Sequence, residues 1–350
     1  MKKTILFVLM LGFSSSFNVF AFDFEVNGVY YNVIFGTNEV EVTYGESISG
    51  SYRGIIEIPP KVSNNGTEYH VKSIGNWAFY QCSRLTSVSL PESIISINNR
   101  AFDGCQSLNS ITIPNNVKNL GANSFSFTGL TSIELPLSVT SIGNYAFSGC
   151  MGLKSVTIHG NIKSISLGSF TNCYNLQSVI IEDGVEVIGD YAFMVCNKLE
   201  SVLIPKSVID IGFNAFYDCW SLKMIEVQWD NPSKVTVFED VFERVDVSRV
   251  ELIVPAGTKH LYEQAEVWKN FGNITSVSNI LILPDNVSYS NGVLKINNNK
   301  SERIYLFSET GQLMWTIIKN VNPEMYYIGN FNRGIYIICG ESGWSLKICI

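Results

Sequence analysis

The sequence has little charge and very little histidine. Charged residues make up 16% of its 350 residues, and the three histidines, His70, His159 and His260, lie far apart in the chain. The formal net charge of -7 indicates no basic surface for nucleic acid. The 27 glycines and 10 prolines are too few for a fibrous or low-complexity protein. A hydrophobic content of 46% excludes a disordered chain and predicts a folded one.

Motifs that carry catalysis or metal binding are also missing. The sequence contains no G-x-S-x-G elbow, no glycine-rich phosphate loop and no H-E-x-x-H. Its eight cysteines form no C-x-x-C pair of the kind that holds zinc. Acidic residues between 182 and 200 could bind a cation weakly, but such residues more often form a solvated face. We therefore expect no enzyme activity, no cofactor and no metal.

The N-terminus has the features of a secretory signal peptide. Lys2 and Lys3 precede an apolar run at residues 5–13, and Val19 and Ala21 occupy the -3 and -1 positions of a cleavage site. The apolar run is short for a membrane span. We predict that residues 1–21 are removed on export and that the mature protein has no integral membrane segment.

A repeat of 22–23 residues dominates the middle of the chain. Seven phenylalanines recur at steps of 23, 23, 22, 23, 23 and 23 residues. These are Phe79, Phe102, Phe125, Phe147, Phe170, Phe193 and Phe216. A pattern L-x-x-V-x-L follows each of them and predicts an extended strand with its Val and second Leu on one buried face. Stacked copies can bury that face together, so the pattern predicts a β-solenoid with an internal phenylalanine column.

Two further columns accompany the phenylalanines. A short apolar pair precedes each phenylalanine and predicts a second short strand on the far wall. Glycine follows that pair at Gly75, Gly121, Gly143, Gly189 and Gly212. We interpret this glycine column as a left-handed turn, because glycine tolerates positive φ.

These residues resemble the BspA-like family of leucine-rich repeat bacterial surface proteins. The family unit SIG-x-x-AF-x-x-C-x-x-L-x-S-V-x-LP appears here as SIGNYAFSGCMGLKSVTI (141–158) and VIGDYAFMVCNKLESVLIP (187–205). Residues 22–34 and 52–62 resemble the family's N-terminal β cap, and residues 250–274 resemble its closing segment. Two departures stand out: the third repeat is one residue short with Thr128 in the cysteine column, and IHG (158–160) replaces one LP.

Six cysteines occupy one column of the repeat. They are Cys82, Cys105, Cys150, Cys173, Cys196 and Cys219. Parallel side chains from identical positions rarely give the dihedral of a disulfide, so we expect a buried ladder of free thiols. Cys339 and Cys349 lie outside the repeat, and their pairing is left open.

The repeat ends before residue 285, and alternating strand patterns follow. The turn sequences ETGQ (309–312) and GESG (340–343) predict antiparallel hairpins and a small β-sandwich. The segment resembles the C-terminal sorting domain of type IX secretion cargo in ETGQLMW (309–315), GIYII (334–338) and SLKICI (345–350). It ends in Ile350, where many such signals carry a basic residue. Removal of this segment during export is left open.

The predicted organisation is therefore a β-rich leucine-rich-repeat solenoid between two smaller β regions. We expect a signal peptide (1–21), an N-terminal β cap (22–70), a solenoid of seven repeats with a degenerate closing repeat (71–277) and a C-terminal antiparallel β-sandwich (285–350).

The outward face of the predicted strands is the candidate binding surface. The residue between the buried Val and Leu points away from the core, and several of these positions and one nearby tryptophan form a candidate ligand-binding set. They are Glu134, Thr157, Ile180, Leu203, Glu226 and Trp229. We expect Ile180 and Leu203 to be exposed next to Trp229. Scattered exposed apolar residues are also ordinary on protein surfaces.

Three functions are compatible with this sequence. The resemblance implies an exported, non-catalytic adhesion protein on the outer surface of a bacterium, which binds a host or bacterial surface protein or a glycan. A structural envelope scaffold that self-associates through its repeats is the alternative. An enzyme with a C-terminal cargo tag is the third, but it requires a cluster of ionisable groups that the sequence lacks. The ligand and the oligomeric state are left open.

Overall fold

The computed structural model describes residues 21–276 in full and the backbone of seven strands between residues 287 and 349. Except for Ala21, the predicted signal peptide lies outside the described residues. The chain forms two compact units, which divide between Thr275 and Ser276. Each unit is described by itself.

The first unit begins with a cap of short strands. Alternating apolar residues such as Val40 and Val42 bury one face of each strand. β1–β2–β3 are antiparallel neighbours, β5 pairs antiparallel with β6, and β6 runs parallel to β3. These strands are β1 (Phe24–Val26), β2 (Val29–Val33), β3 (Glu39–Thr43), β4 (Gly54–Glu57), β5 (Lys61–Asn64) and β6 (Thr67–Ile74). The predicted β cap is thus confirmed.

Two-residue strands form the far wall of the solenoid, as the apolar pairs predict. β6, β8, β9 and β10 continue the cap sheet in parallel, and β12, β14, β16 and β18 form a second parallel sheet. They are β8 (Ser96–Ile97), β9 (Asn119–Leu120), β10 (Ser141–Ile142), β12 (Ser164–Ile165), β14 (Val187–Ile188), β16 (Asp210–Ile211) and β18 (Thr236–Val237).

The L-x-x-V-x-L pattern forms the opposite side, which we call the strand wall. β7 pairs with β4 of the cap, whereas six later strands form one sheet in the order β11–β13–β15–β17–β19–β20. These strands are β7 (Leu85–Ser89), β11 (Ser155–Ile158), β13 (Ser178–Ile181), β15 (Ser201–Ile204), β17 (Met224–Val227), β19 (Glu251–Val254) and β20 (Asn273–Ser276). We call β11 to β19 the paired section. Residues 110–113 and 132–135, which hold the same repeat positions without strand pairing, are the open section.

The phenylalanine column runs up the interior as predicted. Successive rings are stacked with centroids 4.9–5.5 Å apart. All seven rings are at most 1% exposed. Burial of each ring contributes about 1.5–3 kcal/mol, so the column is a principal source of stability.

The column extends beyond the seven predicted copies. Tyr52 of the cap lies 4.5 Å from the Phe79 ring, and Phe242 lies 5.6 Å from the Phe216 ring. The solenoid therefore has about nine stacked turns. Its last turns include one α-helical turn, α1 (Lys259–Tyr262), and short 3-10 segments at Pro232–Lys234, Val247–Arg249 and Trp268–Asn270.

The glycine column serves close packing and not a left-handed turn, so that prediction is wrong. Among the described residues, positive φ occurs two positions later, for example at Tyr145 and Tyr191. A Cβ atom on Gly143 would lie 2.5 Å from the backbone nitrogen of Ala122 in the preceding turn. At Gly143 glycine is required because successive turns touch there and a methyl group has no room, whereas Asn98 and Ser166 occupy the same column in two other repeats.

The second unit contains two antiparallel sheets. β21–β22–β25 form one, and β24–β23–β26–β27 form the other. The strands are β21 (Val287–Ser290), β22 (Val293–Ile296), β23 (Glu302–Ser308), β24 (Leu313–Lys319), β25 (Glu324–Tyr327), β26 (Ile335–Gly340) and β27 (Ser345–Cys349).

Two of the pairs in this unit are the predicted hairpins. β23 pairs with β24 and β26 with β27, on either side of the predicted turns. In the second hairpin, Cys339 lies opposite Ser345 and Cys349 opposite Ile335. Four residues along a strand span about 13 Å, which is too far for a disulfide between the two cysteines.

Candidate functional site

The paired section presents one continuous column of outward-facing residues. Its parallel register places Thr157 beside Ile180, Ile180 beside Leu203 and Leu203 beside Glu226. The same register adds Ile253 beside Glu226. Four of the six predicted site residues therefore come together on one face. Ile253 was missed because the closing repeats depart from the 23-residue spacing.

The column combines an apolar centre with a charged border. Ile180, Leu203 and Ile253 are half-buried, not fully exposed as we expected, because neighbouring strands in the ladder shield each side chain. Met224, also half-buried, lies in the adjacent column beside Ser201. The border carries an ion pair between Lys223 Nζ and Glu200 Oε2 at 3.1 Å. An apolar patch with charged residues around it is typical of a protein-binding surface.

Trp229 does not belong to this surface. Its side chain is 5% exposed, and its indole Nε1 donates a hydrogen bond of 2.7 Å to the carbonyl oxygen of Val208. Its ring lies 5.8 Å from Trp268. The expectation of a tryptophan at the edge of the exposed patch is therefore wrong. Trp229 follows β17, where the chain turns inward and packs under the closing segment.

Glu134 is separated from the other predicted residues. It lies in the open section, where it lines a cavity of about 530 Å³ together with Ser110, Thr112 and Ser132. Glu134 forms no ion pair within residues 21–276. The repeat pattern predicts Glu134 and Leu203 in one column. In the structure, Glu134 lies in the open section, where the strand positions are unpaired, and Leu203 lies in the paired section.

The histidines and acidic residues form local contacts. His159 is buried, and its Nδ1 lies 3.2 Å from Glu182 Oε1. Glu186 pairs with Lys163 at 3.0 Å, and Asp190 Oδ1 accepts a hydrogen bond from the backbone of Phe213. Within the fully described part of the chain, no group of three His, Cys, Asp or Glu side chains could hold a metal ion.

The cysteine column is buried and free of disulfides, as predicted. Each inner thiol donates to the carbonyl oxygen of a phenylalanine in the previous turn; Cys173 reaches Phe147 at 3.2 Å. Thr128 fills the missing position, with its hydroxyl donating to Phe125 at 2.8 Å. Burial raises the pKa of Cys150 to about 11 and that of Cys219 to about 12. Protonated, enclosed thiols are inert at neutral pH, so this column is structural.

A family model described as "BspA type Leucine rich repeat region (6 copies)" matches residues 61–177, 120–247 and 163–287. Together these matches cover more than half of the chain. The protein therefore belongs to the BspA-type leucine-rich repeat family, as its repeat units predicted. A comparison with curated proteins gives no match.

Several solved structures are similar to this chain. A leucine-rich repeat protein from Bacteroides ovatus is 24% identical, with a TM-score of 0.49, over 73% of this chain and 77% of that one. The T. pallidum leucine-rich repeat protein is 26% identical, with a TM-score of 0.48, over 57% of this chain and 90% of that one. A leucine-rich cell surface protein from Faecalibacterium prausnitzii is 20% identical, with a TM-score of 0.36, over 74% of this chain and 95% of that one. The family assignment rests on the repeat model alone.

Of the helices in the described residues, none has the length and apolar character needed to cross a membrane.

Proposed function

We propose that this protein is an exported, non-catalytic recognition protein at the outer surface of a bacterium. It binds a host or bacterial surface protein, or a glycan, through the outward face of the paired section. The observation that carries the proposal is the column Ile180–Leu203–Glu226–Ile253, which sets apolar side chains side by side on a regular ladder. Extended solenoid faces are the surfaces that repeat proteins use for binding.

The rigidity of this face supports the proposal. Parallel strand pairing holds each side chain at a defined position relative to its neighbours, so little conformational freedom is lost when a partner binds. A patch of three or four apolar side chains is too small for an obligate interface and suits a reversible contact.

An array of host matrix proteins and glycans, probed with the purified full chain, tests the proposal. We expect a selective hit that Leu203→Asp weakens about tenfold or more, since a charge placed in the centre of an interface removes a hot-spot contact. Ile209→Asp is the matched control, because Ile209 is 56% exposed and directly precedes β16 of the far wall. A hit that both variants weaken equally would contradict a role for the strand face.

A blank array would favour the scaffold. Sedimentation of the same preparation then decides, because a scaffold associates with increasing concentration and a recognition protein without its ligand stays monomeric.

Export belongs to the same proposal. Lys2, Lys3 and the apolar run at 5–13 support a signal peptide, and the strand-rich second unit, which includes the two predicted hairpins, is compatible with a sorting domain. Expression in a bacterium with type IX secretion tests this directly. The full chain should reach the surface, whereas a chain without residues 285–350 should stay in the periplasm.

A further inference from the structure

The strand wall contains a slit between β7 and β11. Residues 110–113 and 132–135 occupy the strand positions of the second and third repeats, but neither segment pairs with a neighbour. Between the second and third repeats, the slit is closed at one end by the hydrogen bond from Thr131 N to Asn109 O, 3.1 Å, and at the other by that from Thr140 N to Lys118 O, 2.9 Å. It is therefore a bounded opening in an otherwise continuous solenoid.

Backbone groups in the slit lack protein partners. Within the described residues 21–276, the N–H and C=O groups of residues 110–113 and 132–135 make no hydrogen bond to another part of the chain. In the paired section the same positions form a regular ladder, for example between β13 and β15. Unpaired edges of extended segments can accept an added strand of another polypeptide.

The side chains around the slit define its chemistry. The lining combines the carboxylate of Glu134 with polar side chains and apolar residues such as Ile111; the polar ones are Ser87, Ser110, Thr112, Asn115 and Ser132. The volume of about 530 Å³ is within the usual range for a ligand site. Glu134 supplies the single charge among the lining residues and has no cation beside it in the described chain, so the slit complements a positive group.

We propose that this slit binds a short extended peptide of a partner protein, with a lysine or arginine side chain directed at Glu134. The peptide backbone provides alternating donors and acceptors that match the unpaired groups of residues 110–113 and 132–135. The basic side chain neutralises Glu134, and the serine hydroxyls can donate or accept as the peptide requires. This inference deepens the proposed recognition function and rests on it, since it names a peptide as the ligand and adds a second contact region.

Hydrogen exchange on the full chain tests the premise. We expect the amides of residues 110–113 and 132–135 to exchange much faster than those of β13, because only the latter are held by the ladder. Equal protection of both sets would show that the slit is closed in solution and would overturn the proposal.

Peptide binding tests the ligand. The probe is an array of acetylated, fluorescein-labelled hexapeptides with lysine fixed at the fourth position, with a matching array that has glutamate there, read by fluorescence polarisation. We expect lysine peptides to bind, to slow exchange at residues 110–113 and 132–135, and to lose about tenfold in affinity with Glu134→Gln, as for a charged hot-spot contact. Glu186→Gln, at an exposed glutamate next to β14 of the far wall, is the control and should leave affinity unchanged.

A blocking variant separates this site from the patch at Leu203. Ser132→Trp fills the slit, and Ser178→Trp places the same side chain at the equivalent exposed position of the paired section. Thermal unfolding should show that both variants fold. Loss of lysine-peptide binding in Ser132→Trp alone supports the proposal. The proposal would be overturned if lysine and glutamate peptides bound equally, or if both tryptophan variants lost binding equally. It would also be overturned if the slit bound array glycans in place of peptides, or if no peptide bound at all.

The two proposals can fail separately. A partner from the matrix and glycan array whose binding falls with Leu203→Asp but not with Ser132→Trp leaves recognition through the strand face intact and removes the slit as a site.

Discussion

The open and paired sections of the strand wall share one repeat pattern but differ in hydrogen bonding. The distance between successive phenylalanine ring centroids is the same in both sections: 5.3 Å from Phe102 to Phe125, and 5.3 Å from Phe147 to Phe170. At the corner beside the rings, the turns also stay hydrogen-bonded in the open section, as from Phe102 N to Ser124 O at 2.8 Å. The core and the other turns therefore set the stacking of the solenoid. The strand ladder can open without loss of the core.

The missing residue of the third repeat lies beside the open section. Most repeats have two residues between the cysteine column and the leucine, but Gly129 alone separates Thr128 from Leu130. A Cβ on Gly129 would lie 2.3 Å from Gln106 O, so the shortened corner is tightly packed against the previous turn. The following segment, residues 132–135, lacks pairing with β11. The first and second repeats both have full length, so repeat length does not explain why β7 and residues 110–113 are unpaired.

Removal of a ring should have the largest effect, and it should be the same in both sections. We expect Phe102→Ala and Phe170→Ala each to lower the free energy of unfolding by about 3–5 kcal/mol, because each leaves a cavity in a fully buried column. Urea unfolding of both variants measures this, with the exposed Ser110→Ala as control. A much smaller cost for Phe102→Ala would mean that the ladder and not the ring column stabilises the solenoid.

Alkaline pH should weaken the paired section through its thiols. Burial raises the pKa of Cys150 from 9.0 to about 11, so the unfolded thiol ionises at a lower pH than the folded one. The contribution to stability is complete below about pH 9 and is lost as the pH rises towards 11. We expect Cys150→Thr to remove on the order of 2 kcal/mol of this loss.

The control for the thiol prediction is the reverse change in the same column. Thr128→Cys should make the alkaline loss steeper. Unfolding in urea at pH 8 and pH 11, with a reductant present, gives both comparisons. An identical pH dependence in wild type and Cys150→Thr would contradict the assignment of the loss to the buried thiol.

Restoring the repeat length should have the smallest effect on stability. Insertion of one serine after Gly129 returns the third repeat to 23 residues and should allow residues 132–135 to pair with β11. The expected gain is about 1 kcal/mol, since net contributions of backbone hydrogen bonds are small. Hydrogen exchange at residues 132–135 is the more sensitive measurement and should show new protection. The same insertion after Gly66, in an exposed turn of the cap, should change nothing on the strand wall.

The repeat columns predicted the fold well because each column has one physical role. A phenylalanine every 22–23 residues has a stable position only in a stacked interior, and the thiol column follows from the same burial. The glycine column was misinterpreted because glycine serves both positive φ and close contact. A sequence pattern does not distinguish these two roles. The structure does, because a Cβ on Gly143 would lie only 2.5 Å from the backbone nitrogen of Ala122.

The candidate site was predicted in part. The periodicity placed Thr157, Ile180, Leu203 and Glu226 on one face, and the strand register brings them together. It could not identify Ile253, which follows irregular closing repeats, or the burial of Trp229, which depends on packing against Trp268. The periodicity also could not predict that Glu134 lies in the open section and Leu203 in the paired section. Strand pairing depends on contacts between repeats, and the pattern describes a single repeat.

The sequence by itself determined the solenoid, its core columns, its family and the outward direction of the candidate residues. Each of these follows from a periodicity that burial of apolar side chains imposes on every turn. The tertiary structure alone decided where the ladder opens, which residues its register joins and which tryptophan the closing turns cover. Those properties depend on hydrogen bonds and contacts between turns, and small differences in repeat length shift them without changing the pattern of any single repeat.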